Sequence, residues 1–233
     1  MFRIFIITLL SIFSFSVFGQ DTLNITDLNG RKQGFWRKHD TAGNIVYEGH
    51  FKDGFPVGEF RYYYPSGKLK TVSNLSNKGK RAVTVSYFPN GKKMASGIYL
   101  NEKKDSTWQF FSESNGTLVS EEHYKAGVIE GISYIFYPEG GLSEMHYYKN
   151  GIRDGLWEQY YMDGKLKLRG AYKAGEKQGL FKTLYNSGQV MFTGQYISGH
   201  QDGTWIYYNE KGSISKKEIY NKGILLKVEE PGK

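Results

Sequence analysis

Short runs of apolar and aromatic residues alternate with glycine-bounded polar segments along most of the chain. In one such unit, residues 157–161 and 166–172 are rich in strand-forming residues, and residues 162–165 join them. A glycine in a connection of this length suits a hairpin turn, because it adopts positive φ without steric cost. No run keeps an apolar period of 3.6 residues, so the pattern predicts β-hairpins and no helix in this region.

The hairpin pattern is one unit of a tandem repeat. The copies begin at Gly34, Gly58, Ala82, Ser106, Gly131, Gly155, Gly179 and Gly203. Every step is 24 residues except one of 25, where the turn at residues 112–116 is one residue longer than its counterparts. All four tryptophans fall in the third column of the repeat. A fixed period of this size is typical of an architecture in which each unit packs mainly on its neighbours.

The repeat predicts an all-β fold, namely an elongated single-layer antiparallel sheet of about eight tandem β-hairpin repeats. The predicted segments are a signal peptide (1–20), a half-repeat or cap (21–33), eight 24-residue repeats (34–226) and a C-terminal tail (227–233). Copies two and three depart most from the pattern. The loosest packing, or a bend, is therefore expected around residues 73–105.

The turn also predicts a strand register. If Tyr161 pairs with Leu166, Trp157 faces Gly170 and Gly155 faces Tyr172. This hairpin would then place large rings over bare backbone at two successive levels, since rings can cover strand glycines. The same logic pairs Trp36 with Gly49 and Phe181 with Gly194, and it weakens or is lost in the other copies.

Residues 1–20 have the composition of a Sec-type signal peptide. One early cation, Arg3, precedes an apolar run, and small residues near Gly19 or Gln20 offer a cleavage site. The alternatives are a buried N-terminal strand or a retained anchor. Export to the periplasm or the extracellular space is expected, with no transmembrane segment after cleavage. The chain has no cysteine, which excludes lipidation at cysteine, disulfides and thiolate metal sites.

The pattern Gly-x-Trp-x-x-Tyr-Tyr-x-x-Gly-x-Leu, followed by Gly-x-Tyr-x-x-Gly, at residues 155–175 resembles the MORN-repeat variant found in bacteria. The resemblance extends over nearly all of residues 34–226. Members of this family are often labelled YwqK-type antitoxins. The resemblance implies an elongated sheet of hairpins used for contacts with other molecules, including protein scaffolding and membrane association. The family motif contains no catalytic residues.

The residue types that could carry chemistry are scattered. The histidines are His39, His50, His123, His146 and His200. Two of them, His50 and His123, share a column but lie six strands or ~29 Å apart. A shared metal is therefore not expected, and all five are interpreted as solvated sheet or turn residues. No nucleophile triad or nucleotide-binding loop is present, so the sequence predicts no enzyme and no cofactor.

Acidic residues recur just before the repeats begin, at Asp105, Glu130, Asp154 and Asp202. Turn chemistry explains them, because acidic side chains bond nearby backbone N–H groups in turns. A calcium site would need oxygen ligands at closer spacing than one per repeat.

The formal net charge is +8. Much of it comes from turn lysines such as Lys68, Lys92, Lys165 and Lys173, which are interpreted as solvated. A long basic ribbon would attract an acidic partner or an anionic surface. Export argues against nucleic acid as the partner.

Aromatic residues recur on both faces of the predicted strands, and stacking between repeats accounts for most of them. The candidates for an exposed binding stripe are Phe136, Trp157, Tyr160, Tyr207 and Tyr208, since exposed apolar patches mark contact sites. The sequence thus favours a non-enzymatic exported scaffold that binds a protein or a cell-envelope polymer. The alternatives are an antitoxin or immunity-type protein that neutralises a toxin, and a glycan-binding module.

Overall fold

The computed structural model describes residues 23–231, which form one open antiparallel sheet of 19 strands without a helix. The predicted signal peptide lies outside the described residues. The strands are β1 Ile25–Thr26, β2 Lys32–His39, β3 Ile45–Lys52, β4 Phe55–Tyr63, β5 Leu69–Ser76, β6 Arg81–Tyr87, β7 Lys93–Leu100, β8 Lys103–Phe111, β9 Leu118–Lys125, β10 Val128–Phe136, β11 Leu142–Lys149, β12 Ile152–Tyr160, β13 Leu166–Lys173, β14 Glu176–Lys177, β15 Gly179–Leu184, β16 Val190–Ile197, β17 His200–Tyr208, β18 Ile214–Asn221 and β19 Ile224–Glu229. The all-β prediction is confirmed.

Strands that follow each other in sequence are paired in the sheet, so the chain runs as a continuous meander from β1 to β19. Short β14 and the following β15 both pair with β13. The segment before Gly34 supplies the edge strand β1, and the Asn24 side chain bonds both the N–H and the carbonyl of Arg37. Since few atoms lie outside the sheet layer, few side chains are fully buried.

Two kinds of turn alternate along the sheet. The first closes with a bond from Gly164 N–H to the Tyr161 carbonyl, 2.9 Å long, and the same bond recurs in the other copies. At residues 112–116 the bond instead joins Gly116 to Ser112, which accommodates the one extra residue. The second turn has two residues, both with positive φ in most copies, as at Asp53 (52°) and Gly54 (81°). This is the two-residue hairpin geometry whose twist matches that of the strands.

The first glycine of most repeats forms a β-bulge. In the pairing of β3 with β4, the register shifts between Gly49 and His50, and Gly58 there has φ 69°. Copy three begins instead with Ala82, and β5 pairs with β6 without a shift. In this copy the preceding turn is longer instead, and residues 77–79 within it all have positive φ. The number of residues per copy is therefore kept while the bulge is lost.

The predicted register is confirmed for Trp157 with Gly170 and for Gly155 with Tyr172. The assumed pair of Tyr161 with Leu166 is wrong, because Leu166 pairs with Tyr160. A register shift between Gln159 and Tyr160 absorbs the difference, so the pairs farther from the turn are unaffected.

The prediction that a ring covers the glycine of its own hairpin is wrong at Gly170, Gly49 and Gly194. A Cβ built on Gly170 would lie 2.6 Å from the ring of Phe181, which belongs to the next copy, and Gly155 is approached by Tyr147. In the same way Phe60 covers Gly49, although Gly49 is the register partner of Trp36. The rings therefore join successive repeats to each other.

These rings lie on one side of the sheet, which we call the ring face. It is defined by the third-column residues Trp36, Phe60, Thr84, Trp108, Ser133, Trp157, Phe181 and Trp205. The largest fully buried hydrophobic side chains, Phe60, Trp108, Phe181 and Trp205, are all among them. Since successive strand residues point to opposite sides, the fourth-column residues define the other side, which we call the open face.

A tyrosine in the seventh column joins each regular repeat to the next at the first turn. The Tyr185 hydroxyl donates to the Tyr208 carbonyl at 2.9 Å, and Tyr64, Tyr137 and Tyr161 make the same bond to the carbonyl 23 residues later. Copies are thus connected by backbone pairing, ring stacking and a side-chain bond.

Candidate binding surfaces

The five aromatic residues predicted to bind do not form one surface. Because side chains alternate along a strand, Trp157 and Tyr207 lie on the ring face, whereas Phe136, Tyr160 and Tyr208 lie on the open face. The structure therefore brings together Phe136 and Tyr160 only, in neighbouring copies.

Trp157 is held within the ring stack. Its ring lies parallel to His146, with 5.9 Å between centroids, and meets the edge of Phe181 at 5.8 Å. The indole Nε1 donates to the Glu144 carboxylate at 3.2 Å. These contacts already involve the ring and its polar atom.

Tyr207 and Tyr208 point to opposite sides of the sheet. The Tyr207 hydroxyl donates to Glu218 at 2.7 Å, and burial together with that carboxylate raises the pKa of Tyr207. The Tyr208 carbonyl accepts the bond from Tyr185 that joins the two copies. The two tyrosines therefore cannot contact one ligand from the same side.

Phe136 and Tyr160 border an apolar area on β10, β11 and β12. We call this area the open-face patch, and its members are Ile132, Tyr134, Phe136, Met145, Tyr147, Leu156 and Tyr160. Ile132 pairs with Tyr147, and Tyr134 pairs with Met145. The exposed fractions are 40% for Ile132, 43% for Tyr147 and 41% for Leu156, so the most exposed members lie side by side across three strands.

Tyr160 is fixed at the border of this patch by a charged pair. Its hydroxyl donates to Glu158, which is buried, accepts a hydrogen bond from Arg169 Nε at 2.6 Å and forms an ion pair with Arg169 Nη2. Burial, followed by the bond to the Glu158 carboxylate, raises the pKa of Tyr160 to about 12. The phenol therefore remains a neutral hydrogen-bond donor at ordinary pH.

A second concave feature lies on the ring face where copies two and three meet. We call it the hydroxyl groove; its volume is about 570 Å³, and its lining includes Tyr62, Thr71, Ser73, Lys80, Thr84, Ser86, Tyr99 and Glu102. It lies where Thr84 takes the place of a ring. Thr84 lies within residues 73–105, the segment where the sequence predicts the loosest packing or a bend.

At several contacts between copies, the sizes of the facing side chains are complementary. Where the third column has a ring, as at Trp108 and Trp205, the facing residues Gly97 and Gly194 have no side chain. Where it has Thr84, the facing residue is Ser73, and the two hydroxyls are 2.9 Å apart. This complementarity runs between copies, so it is not apparent from a single hairpin.

Three of the four acidic residues before the repeats, Glu130, Asp154 and Asp202, accept a backbone N–H from a turn that is distant in sequence. Asp154 accepts the N–H of Ala174, and Glu130 accepts that of Asn150, in each case 20 residues later. Gln33 makes the equivalent bond to Asp53. The N–H hydrogen bond of Ala174 holds the pKa of Asp154 below its usual range.

The interpretation of all histidines as solvated is wrong for His146, which is 2% exposed. Its Nε2 lies 2.9 Å from Glu144, whereas Nδ1 has no partner within residues 23–231. Burial, followed by the nearby Arg153 cation, lowers the pKa of His146. Within that same range, no group of three or more histidines and carboxylates is placed to hold a metal ion.

Comparison with known proteins supports the repeat assignment. The model of the MORN repeat variant matches residues 56–77, 129–150 and 153–174. No curated protein matches. Among residues 23–231, no helix is long and apolar enough to cross a membrane.

Solved structures with some similarity include TcdB2-TccC3-TEV, at 11% sequence identity and a TM-score of 0.23, with 83% of this chain covered. The Tc holotoxin pore of Photorhabdus luminescens is also 11% identical, with a TM-score of 0.20 and 81% of this chain covered. This chain spans 13% of the length of each of those chains.

Proposed function

We propose that the protein is a non-catalytic, exported scaffold that binds a protein partner through the open-face patch. The repeats that match the MORN variant support the general role, because such repeats commonly serve as binding modules. The observation that carries the location is the contiguous exposure of Ile132, Tyr147 and Leu156 on adjacent strands.

The patch has the composition of a protein contact surface. Contact surfaces typically place aromatic anchors at the centre and charged groups at the rim. Tyr134, Tyr147 and Tyr160 supply the aromatic area, and Glu158 with Arg169 supplies a charged, hydrogen-bonded rim. The partner would therefore present an apolar surface bordered by polar groups.

The two faces differ in what remains available for binding. On the ring face most aromatic side chains pack on the next copy, as Phe181 does on Gly170. On the open face Leu156 has no such cover and is paired with Ala171, a small residue. Binding at the open face would thus leave the contacts between copies intact.

The test is affinity capture of the tagged mature protein from its own cell envelope, followed by reconstitution with the purified candidate partner. The variant Ile132→Lys/Leu156→Lys should lose the partner, because two charges enter an apolar contact. The matched control is Val83→Lys, at the same repeat position as Leu156 and 43% exposed, but outside the patch. Equal binding by the patch variant and the control would contradict the proposal.

Identification of the captured partner separates the alternatives. A secreted or envelope protein would support the scaffold role, whereas a toxin whose activity is neutralised would support the immunity-type role. Export is tested separately, by fractionating cells and determining the mature N-terminus, which is expected near Gln20. A full-length protein confined to the cytoplasm would contradict export without bearing on the patch.

A further inference from the structure

The floor of the hydroxyl groove is a small array of hydroxyl groups. Ser73 lies opposite Thr84 at 2.9 Å, and Thr71 lies opposite Ser86 at 3.2 Å, on the same face of β5 and β6. Each hydroxyl has one donor and two acceptor sites, so one mutual bond leaves each pair able to accept or donate further. Ser73 and Thr84 are 6% and 3% exposed, whereas Thr71 and Ser86 are half-buried, so a ligand above this floor would exchange hydrogen bonds mainly with Thr71 and Ser86.

The walls of the groove carry polar groups that have no partner of their own. Within residues 23–231, the hydroxyls of Tyr62 and Tyr99 make no hydrogen bond, although both side chains line the groove. Elsewhere on the ring face, the Tyr124 and Tyr207 hydroxyls bond Glu122 and Glu218. Unbonded phenols on an aromatic wall offer both an apolar surface and a hydrogen bond to a ligand.

Two charged side chains, Lys80 and Glu102, also line the groove. In the equivalent position of other copies, the Lys104 ammonium lies 4.9 Å from the third-column ring of Trp108, and the Lys177 ammonium lies 5.7 Å from that of Phe181. Lys80 has no such ring beneath it, because Thr84 replaces the ring. Across the described part of the chain, neither Lys80 nor Glu102 has an ion-pair partner, and both line the groove.

These features match a sugar chain better than other ligands. A sugar ring presents C–H groups that pack on tyrosine rings and hydroxyls that exchange bonds with serine and threonine. The floor spans Thr71 to Leu75, about 13 Å of strand, which is longer than one sugar ring. The volume of about 570 Å³ lies within the usual range for small-ligand sites. The low net charge of the lining favours a neutral ligand.

We propose that the hydroxyl groove binds a neutral oligosaccharide, stacked against Tyr62 and Tyr99 and hydrogen-bonded to the hydroxyl floor. This site lies on the opposite face from the open-face patch. Its function is independent of the protein partner proposed above, and either proposal can fail alone.

The decisive variant places a ring in the third column of copy three and a glycine opposite it, as in the regular copies. Ser73→Gly/Thr84→Phe recreates the pair formed by Gly49 and Phe60, which have the same strand pairing and full ring contact. The new ring should fill the groove and leave the fold intact, so that loss of binding is not loss of structure. The control is Val83→Phe, which adds a ring on the open face of the same strand.

The probes are cellohexaose, chitohexaose and maltohexaose, titrated by calorimetry and by NMR of the tyrosine and threonine signals. At least one should bind with a dissociation constant below about 1 mM, with shifts at Tyr62, Tyr99 and Thr84. Ser73→Gly/Thr84→Phe should weaken binding at least tenfold, and Val83→Phe should leave it unchanged. Binding of none of the three sugars, shifts centred elsewhere, or equal binding by the filled variant would each overturn the proposal.

Discussion

Trp108 lies so close over Gly97 that a Cβ on residue 97 would be 2.3 Å from the indole Cδ2. The two residues belong to different copies of the repeat, and Trp108 is 2% exposed. The same contact, with other rings, occurs at Gly49, Gly170 and Gly194. The indole Nε1 of Trp108 also donates to the Ile98 carbonyl at 3.0 Å. Absence of a side chain on one copy is therefore what allows the next copy to bury its ring.

Gly97→Ala is expected to lower the free energy of unfolding by about 1–3 kcal/mol, the usual cost of overpacking a rigid contact. Gly97 does not have a positive φ, so strain of the backbone plays no part. Urea unfolding of both proteins measures the effect. The control Asn74→Ala, on an exposed position of β5, should change the stability by less than about 0.5 kcal/mol. A comparable loss in the two variants would show that the ring contact is not the cause.

Tyr185→Phe is expected to lower the free energy of unfolding by about 1 kcal/mol, because the Tyr208 carbonyl loses the hydrogen bond that it accepts from the Tyr185 hydroxyl of the preceding copy. Tyr196→Phe is the matched control, since its hydroxyl has no hydrogen-bond partner within residues 23–231. Thermal and urea unfolding should both show that Tyr185→Phe is less stable than Tyr196→Phe. If Tyr196→Phe were the less stable variant, the hydrogen bond of the seventh-column tyrosine would not stabilise the contact between copies.

His146 should make stability depend on pH below its ordinary pKa of 6.5. Burial and the Arg153 cation lower its folded pKa, so the unfolded chain binds a proton first as pH falls. Its contribution to stability is present above pH 6.5 and is lost as pH falls through the lowered folded pKa. The carboxylate of Glu144, 2.9 Å from Nε2, acts in the opposite direction but does not prevail.

The measurement is the urea midpoint as a function of pH for the wild type, His146→Phe and His123→Gln. The wild type and His123→Gln, whose histidine is exposed, should lose stability together just below pH 6.5. His146→Phe keeps a ring beside Trp157 and should stay flat until the carboxylates titrate. A slope retained in His146→Phe would assign the pH dependence to another group.

Ala174→Asn is expected to stabilise the protein by about 1 kcal/mol. Ala174 has φ 51°, a left-handed conformation that costs L-residues about 1–2 kcal/mol but that asparagine tolerates better. Asn150 occupies the same turn position in the preceding copy, with φ 52°. Asn150→Ala should therefore destabilise by a similar amount, as measured by urea unfolding. Changes of the same sign in both variants would contradict the explanation.

Only part of the candidate binding surfaces could be predicted from the sequence. Phe136 and Tyr160 occupy the same column of neighbouring copies, so alternation along the strand places them on one face, and the structure places both beside Tyr134. Trp157 could not be recognised as a stacking residue, because its contacts with His146 and Phe181 come from the preceding and following copies. The hydroxyl groove had a signal, since Thr84 breaks the ring column. That signal predicts a groove only once Ser73 is known to face Thr84 across the strand pair.

The sequence by itself determined the hairpin repeat, the strand register away from the first turn and the all-β class. Alternation and glycine turns are local properties of the chain, so each copy displays them separately. Only the tertiary structure decided which ring covers which glycine, because that depends on how one hairpin lies against the next. Pairing alone puts Trp157 opposite Gly170, whereas the ring over Gly170 is that of Phe181. The physical reason is that each strand has two neighbours, and a single hairpin specifies only one of them.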